Sequence, residues 1–361
     1  MCVHMRAVVR SWSGLKYSET HPMPRAPKKG SDEVLVRVHA AAINPVDYKA
    51  PRLILGPVAG LDVAGVIEKI PEDSTATLSV GDRVYGTARG SLANFVLANA
   101  GSLAKIPDGI SFQQAAAFPT AYITALQGIR DKGKGNLEAK LKKNTENGKK
   151  VRVLVIGASG GCGIAAVQLL RALSTGAGVE IVGICSGKNA AFVKEQGADL
   201  VLDYTDPDFG NEEKDRYLNA PEEEKLDLVF DTATNSGKGE DYKNWSLKRM
   251  KKDGQYVSTN GSLGMWLRMF ANQQKSNQHL FLTDMNTADL DFLSQLATKE
   301  NSPVKPIISN SLPFTSAAVD EGFKLLKSRR TVGKIVFDVN YDNMNTSAQN
   351  ENEAKPSSDK K

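Results

Sequence analysis

The sequence predicts an α/β chain of two parts, a β-rich barrel-like unit and a doubly wound parallel sheet. Three observations predict it. The first third alternates apolar and polar residues in short runs cut by Gly and Pro. From Val151 onward, short apolar runs alternate with helical patterns. Between the first such run and the first such helix lies the turn Gly157-Ala158-Ser159-Gly160-Gly161-Cys162-Gly163.

The bounds come from length and composition. At roughly 100–200 residues per domain, 361 residues make two domains, each able to bury a core. Hydrophobic residues at 41% and charged residues at 24% fit a globular chain. No apolar run approaches the ~20 residues that cross a bilayer. The start, Met1 to Val9, reads as a strand without an apolar signal region or an Arg/Ser-rich leader. A cytoplasmic location is therefore expected, with organellar association left open. Cys2, Cys162 and Cys185 are too sparse for a disulfide framework and have no metal-ligand spacing.

In chain order, Glu33–Ala40 alternates as a half-buried strand does, and 62–68 and 81–86 read as further strands. A helical pattern runs from Ser111, a candidate N-cap, to Gly128. Residues 131–150 are rich in Lys, Gly and Asn and read as an exposed insertion. Residues 130–152 hold nine Lys/Arg and three Asp/Glu, so they carry +6 of a net +5. This is a solvated basic loop or a patch for nucleic acid or an anionic membrane. Without interleaved aromatics it gives no strong nucleic-acid signal, and a peripheral membrane contact through 130–152 stays open.

Val151–Ile156 is an apolar strand, 163–174 a helix, 179–184 a strand and 189–196 a second helix. Residues 200–202, 226–230 and 255–258 are further strands. The apolar stretch 263–270 reads as a lid, a subunit contact or, preferred, a buried helix. The tail from 341 to 361 is polar and is expected to be disordered.

The turn carries the cofactor argument. Glycines let the main chain approach a pyrophosphate, and the following helix offers free N–H groups and a positive dipole end. Strand before and helix after make a Rossmann-type dinucleotide site, with Ser159, Gly160, Gly161, Cys162 and Gly163 as binding residues. An NAD site places an acid at the end of the second strand, about 20 residues on. Here that position reads Cys185-Ser186-Gly187-Lys188, without an acid. Ser186 and Lys188 suit a 2′-phosphate, so NADPH is expected, with Tyr204 flanking the adenine or the phosphate.

These residues, together with Asn44-Pro45-Val46-Asp47-Tyr48-Lys49, the Gly60–Val66 stretch, Gly81-Asp82-Arg83-Val84-Tyr85-Gly86, Phe118-Pro119-Thr120 and Gly333-Lys334, carry a resemblance. The chain resembles the zinc-independent quinone oxidoreductase and alkenal reductase branch of the medium-chain dehydrogenase/reductase superfamily. The resemblance implies a GroES-like β-barrel catalytic domain from 1–125 and a returning segment 286–340. A Rossmann NADPH domain at 126–285 would be inserted between them, with the active site in the cleft. It implies cofactor contacts at Thr120 and Lys334, and a homodimer or monomer; Asn260, which follows a strand end, is expected near the nicotinamide side. Metal is not expected: Leu61-Asp62 stands where zinc-dependent relatives place His-Glu, and Asn44–Lys49 holds no Cys.

Without a metal, hydride transfer to a quinone or to the C=C of an α,β-unsaturated carbonyl is the expected reaction. Candidate catalytic residues are Tyr48, Lys49 and Asn44. Asn44 serves either loop structure or nicotinamide contact. Alternatives are an enoyl-thioester reductase, or a non-catalytic NADPH-binding regulatory protein associated with RNA or membrane.

Overall fold

The structure, a computed structural model, describes residues 4–12, 14–132, 149–174, 178–234 and 242–339. The expected tail at 341–361 and most of the insertion at 131–150 lie outside the described residues. The chain forms two compact units. One comprises Met1–Pro119, Asn310–Arg330 and Ile335–Lys361; the other comprises Thr120–Ser309 and Thr331–Lys334.

In the second unit six strands form one parallel sheet. Their order is Leu200–Asp203, Val179–Cys185, Val151–Ile156, Leu226–Asp231, Met250–Ser258, Gln278–Leu280. Val151, Val153, Leu154, Val155 and Ile156 are all buried, because helices cover a parallel sheet on both faces. Strand order reverses beside Val151–Ile156. The C-terminal ends of Val151–Ile156 and Leu226–Asp231 therefore flank a topological switch point, where such sheets bind ligands. The helix Gly161–Leu173 starts there and buries Ile164, Val167 and Leu170 against the sheet.

In the first unit the strand pairings around Glu33–Ile43, Asp62–Lys69 and Arg83–Thr87 are antiparallel, whereas the bonds from the Lys334 N–H to Ile307 O and from the Phe314 N–H to Asp338 O run in the parallel sense. The main sheet runs Ile308–Pro313, Lys334–Asp338, Glu33–Ile43, Asp62–Lys69, Arg83–Thr87, Leu103–Lys105, with Phe95–Asn99 also pairing to Glu33–Ile43. Val34, Val36, Val38 and Ile43 share a core with Phe314, Phe323 and Phe337. Register sets up the site: Ala42 pairs with Asp62, so Asp62 faces the end of the strand that leads into Asn44. A separate two-stranded ribbon joins His4–Ser11 to Gly14–Pro22.

Two elements differ from the sequence reading. The helix expected from Ser111 to Gly128 is two helices, Phe112–Ala116 and Pro119–Gln127. Pro119 disfavours the helical conformation in the residue before it and restarts the helix as an N-terminal residue. Ser111 does cap the first: its Oγ accepts the Gln114 N–H at 3.1 Å. The stretch Leu263–Phe270 is a helix but not a buried one. It buries Met265 and exposes Leu263, Leu267 and Phe270, because only one turn-face meets the sheet.

Candidate functional site

The glycines of the turn divide by what a side chain would meet. Gly157 has a left-handed φ of 78°, and a Cβ there would meet Thr232 Oγ1 at 2.6 Å. At Gly163 a Cβ would lie 2.1 Å from the Gly157 carbonyl oxygen, so helix and turn touch only because it is absent. Gly160 is different: the nearest atom to its Cβ would be Gly157 O, at 3.4 Å. Packing does not require a glycine there. It leaves main chain bare at the N-cap of Gly161–Leu173, a helix start with no capping side chain. Cys162 is half-buried on that first turn.

Lys334 backs this turn. The Gly333 N–H donates to Ser159 O at 3.3 Å, and Gly160 bridges Gly333 in parallel. Lys334 is buried, and its Cδ would stand 3.1 Å from a Cβ on Gly161. The structure thus gathers Ser159, Gly160, Gly161 and Lys334 at one place.

Ser186 and Lys188 sit on the adjoining turn at the end of Val179–Cys185. Asn189, which the sequence reading did not single out, joins the two turns. Its Nδ2 donates to Ser159 Oγ and to Ser186 Oγ, both at 3.3 Å. Tyr204 follows the strand Leu200–Asp203 and is exposed.

Asp203 is the acid that a linear reading misses, because it stands on the neighbouring strand. Asp203 pairs with Cys185, and a Cβ on Gly187 would lie 2.1 Å from its Oδ2. Its carboxylate already accepts three bonds. Thr205 donates to Oδ1 through Oγ1 at 2.6 Å and through N–H at 2.8 Å, and the Gly187 N–H also bonds the carboxylate. These donors, Thr205 foremost, hold Asp203 below the usual carboxylate range. Burial, with the Asp203 charge beside it, pushes the Cys185 thiol up to about 11.

A buried network fixes the loops beyond the two central strands. Asp231 accepts the Ala233 N–H at 2.8 Å, the Thr234 N–H at 2.9 Å and Tyr256 OH at 2.6 Å, besides a bond from Thr234 Oγ1. Asn260 Nδ2 donates to Thr234 O at 3.1 Å, so this side chain braces the loop after Asp231. Burial, then the Asp231 charge and its hydrogen bond, raises Tyr256 well above an ordinary tyrosine. Thr120 is half-buried as the second residue of Pro119–Gln127.

The candidates Asn44, Tyr48 and Lys49 lie together in the first unit. Asn44 is buried and precedes the short helix Pro45–Lys49. Its N–H donates to Asp47 Oδ2 at 2.7 Å and its Nδ2 to Asp62 Oδ2 at 2.9 Å. Of its two expected roles, these bonds serve loop structure. Arg10, unremarked in the sequence, is buried and bonds the Asp47 and Ala50 carbonyls. Tyr48 is half-buried, with Lys49 Nζ at 6.0 Å and Lys327 Nζ at 5.5 Å from its ring centroid. Burial raises the Tyr48 hydroxyl, against the pull of Arg329. Burial lowers Lys49, and the nearby Arg329 charge lowers it further.

Known proteins share this architecture. The family profile "Alcohol dehydrogenase GroES-like domain" matches residues 30–108, and "Zinc-binding dehydrogenase" matches 196–337. The "Chloroplast envelope quinone oxidoreductase homolog" of Arabidopsis thaliana is 28% identical, over 91% of this chain and 96% of that one. The "NADPH-dependent alkenal/one oxidoreductase, chloroplastic" of the same plant is 29% identical, over 86% and 73%. The solved quinone oxidoreductase from Coxiella burnetii superposes with a TM-score of 0.71 at 25% identity, over 93% of this chain and 99% of that one. The zinc in the second profile's description does not fit these residues. Asp62 is buried and bonded to the Asn44 amide, and no thiol or imidazole stands on Asn44–Lys49. Among the described residues no three His, Cys, Asp or Glu are grouped to hold a metal ion. With both profiles in chain order and relatives matched along most of its length, the chain is similar throughout to the quinone and alkenal oxidoreductases of the medium-chain dehydrogenase/reductase superfamily.

Proposed function

We propose that this chain transfers hydride from NADPH to a quinone or to the C=C of an α,β-unsaturated carbonyl. The observation that carries it is Gly160. No packing demands its missing side chain, yet it sits at an uncapped helix start, where an anionic pyrophosphate gains most from bare N–H groups. The bound nucleotide supplies the hydride.

The residues assign themselves around that role. Ser159, Gly160, Gly161 and Cys162 hold the pyrophosphate, backed by Lys334, and Gly163 lets the helix close on the turn. Ser186 and Lys188 take the 2′-phosphate, the serine by hydrogen bond and the lysine by charge. Asn189 keeps the two turns in register. Asp203 accepts from Thr205 and Gly187, which ties it to the turn that carries Ser186 and Lys188. Tyr204 flanks the adenine. Thr120 and Asn260 serve the nicotinamide end, Asn260 by holding the loop at Thr234.

On the acceptor side the Lys49 ammonium stabilises negative charge that develops on the acceptor oxygen as its β-carbon is reduced. Tyr48 then delivers the proton that completes the reduction. Asn44 positions both, through Asp47 and Asp62. The relatives named for quinone and for alkenal/one reduction support this acceptor class.

The test is an NADPH-oxidation screen against quinones, short enones and enoyl thioesters, with NADH as control. Oxidation with a quinone or enone is expected, at a kcat/KM with NADPH well above that with NADH. If no acceptor oxidises NADPH, or NADH serves equally well, the reading is wrong.

A further inference from the structure

We propose that the first unit docks on an anionic lipid bilayer through the ribbon tip at Trp12 and the short helix Arg52–Leu55. Trp12 is fully exposed, Leu53 is 97% exposed and Ile54 is 55% exposed. Three large apolar side chains in water at one corner of a unit need a reason.

They are neighbours. The Arg10 N–H donates to Pro57 O at 2.7 Å, and Arg10 Nη1 reaches Ala50 O at 3.4 Å. Arg10 thereby ties the end of His4–Ser11 to both ends of the corner that carries Leu53 and Ile54. Trp12 stands two residues beyond it.

The charge around them has one sign. Lys16 and Arg52 are exposed there, Arg10 is buried against main chain, and neither residues 10–16 nor residues 49–57 hold an acid. Lys327 adds a further cation beside Tyr48, 5.5 Å from its ring. Exposed Trp and aliphatics ringed by Lys and Arg match an anionic headgroup layer: the apolar tips enter it, the indole N–H stays at headgroup level, and the cations meet the phosphates. A protein partner fits less well. A ribbon tip and a four-residue helix offer far less than the ~800 Å² per side of a standard interface.

The full chain is floated with vesicles of phosphatidylcholine alone and of phosphatidylcholine mixed with phosphatidylserine. Wild type should float with the mixed vesicles and leave the neutral ones, and added salt should release it. Trp12→Ser with Leu53→Ser should lower the partition coefficient about tenfold, and Arg52→Glu severalfold. These side chains are exposed, so an unchanged thermal midpoint certifies the variants. Brominated lipid should quench wild-type tryptophan emission more than that of Trp12→Ser. A wild type that does not float, or a double variant that floats as well as wild type, overturns the proposal; in the latter case the binding belongs elsewhere, such as the basic segment 130–152. A dimer lost in the variant, with no flotation, also overturns it and assigns the corner to self-association.

Discussion

In the second unit the proposed ligand surface is main chain: Gly160 leaves it bare of a side chain, the helix start from Gly161 offers N–H groups, and the side chains behind them hold the turn in place. In the first unit the Asn44–Lys49 corner is the reverse. There Asp47, Asp62 and Arg10 spend buried polar atoms on the loop so that Tyr48 and Lys49 present their side chains. A main-chain site tolerates almost any neighbour but no added Cβ. A side-chain site tolerates backbone changes but not the loss of one buried partner. The two should therefore fail differently.

The sharpest contrast is between two glycines of one turn. Gly163→Ala forces a Cβ to 2.1 Å from Gly157 O and should cost about 3 kcal/mol, read as a lowered thermal midpoint. Gly160→Ala meets nothing closer than 3.4 Å and should melt within about 1 kcal/mol of wild type. It should nevertheless weaken NADPH by about 2 kcal/mol, near thirtyfold in Kd. Equal effects of the two substitutions on stability would remove the distinction between packing and binding glycines.

Next comes Asp62→Ala, which strands the buried Asn44 amide and should cost about 1–3 kcal/mol of stability. It should lower kcat while the NADPH Kd, measured by fluorescence titration, stays put. A matching loss of NADPH affinity would show that the two regions are not separate.

Lys188→Ala should weaken NADPH about tenfold and leave NADH unchanged, since only the former carries the 2′-phosphate. The smallest effect is in the pH profile. Lys49 is lowered by burial and by Arg329, so its cation is present at low pH and is lost as pH rises through the lowered value. kcat should therefore fall on the alkaline side, before the ordinary lysine range of about 10.4. Lys49→Arg should flatten that limb, because a guanidinium keeps its charge.

Legibility in the sequence follows the same division. The strand Val151–Ile156 reads directly, since a parallel strand buried on both faces is apolar nearly throughout, here with Arg152 alone breaking the run near its start. The helix after it begins at Gly161, two residues earlier than its apolar pattern, because the N-cap is itself a motif glycine. Main-chain chemistry leaves a local signature, and the strand-to-helix setting of the turn was legible from seven residues and their flanks. Asp203 could not, because it reaches Gly187 across a strand pairing that no linear distance encodes. The bond of Asp62 to Asn44 and the part played by Arg10 escaped for the same reason: each meets the Asn44–Lys49 corner through tertiary contacts. The exposed face of Leu263–Phe270 was hidden by composition, since a run of apolar residues does not say which side is covered.

The contact of Gly333 and Lys334 with the glycine turn also sets an order of events at the ribosome. Gly333 has φ 83°, and a Cβ there would strike Ile307 O at 2.3 Å, so few residues can take its place. Yet it is translated long after Ser159, whose carbonyl awaits the Gly333 N–H until then. The strand Glu33–Ile43 likewise waits for its neighbour Lys334–Asp338. Both units are completed by the same few late residues, and until these emerge the nascent chain carries an open sheet edge that other chains can pair with.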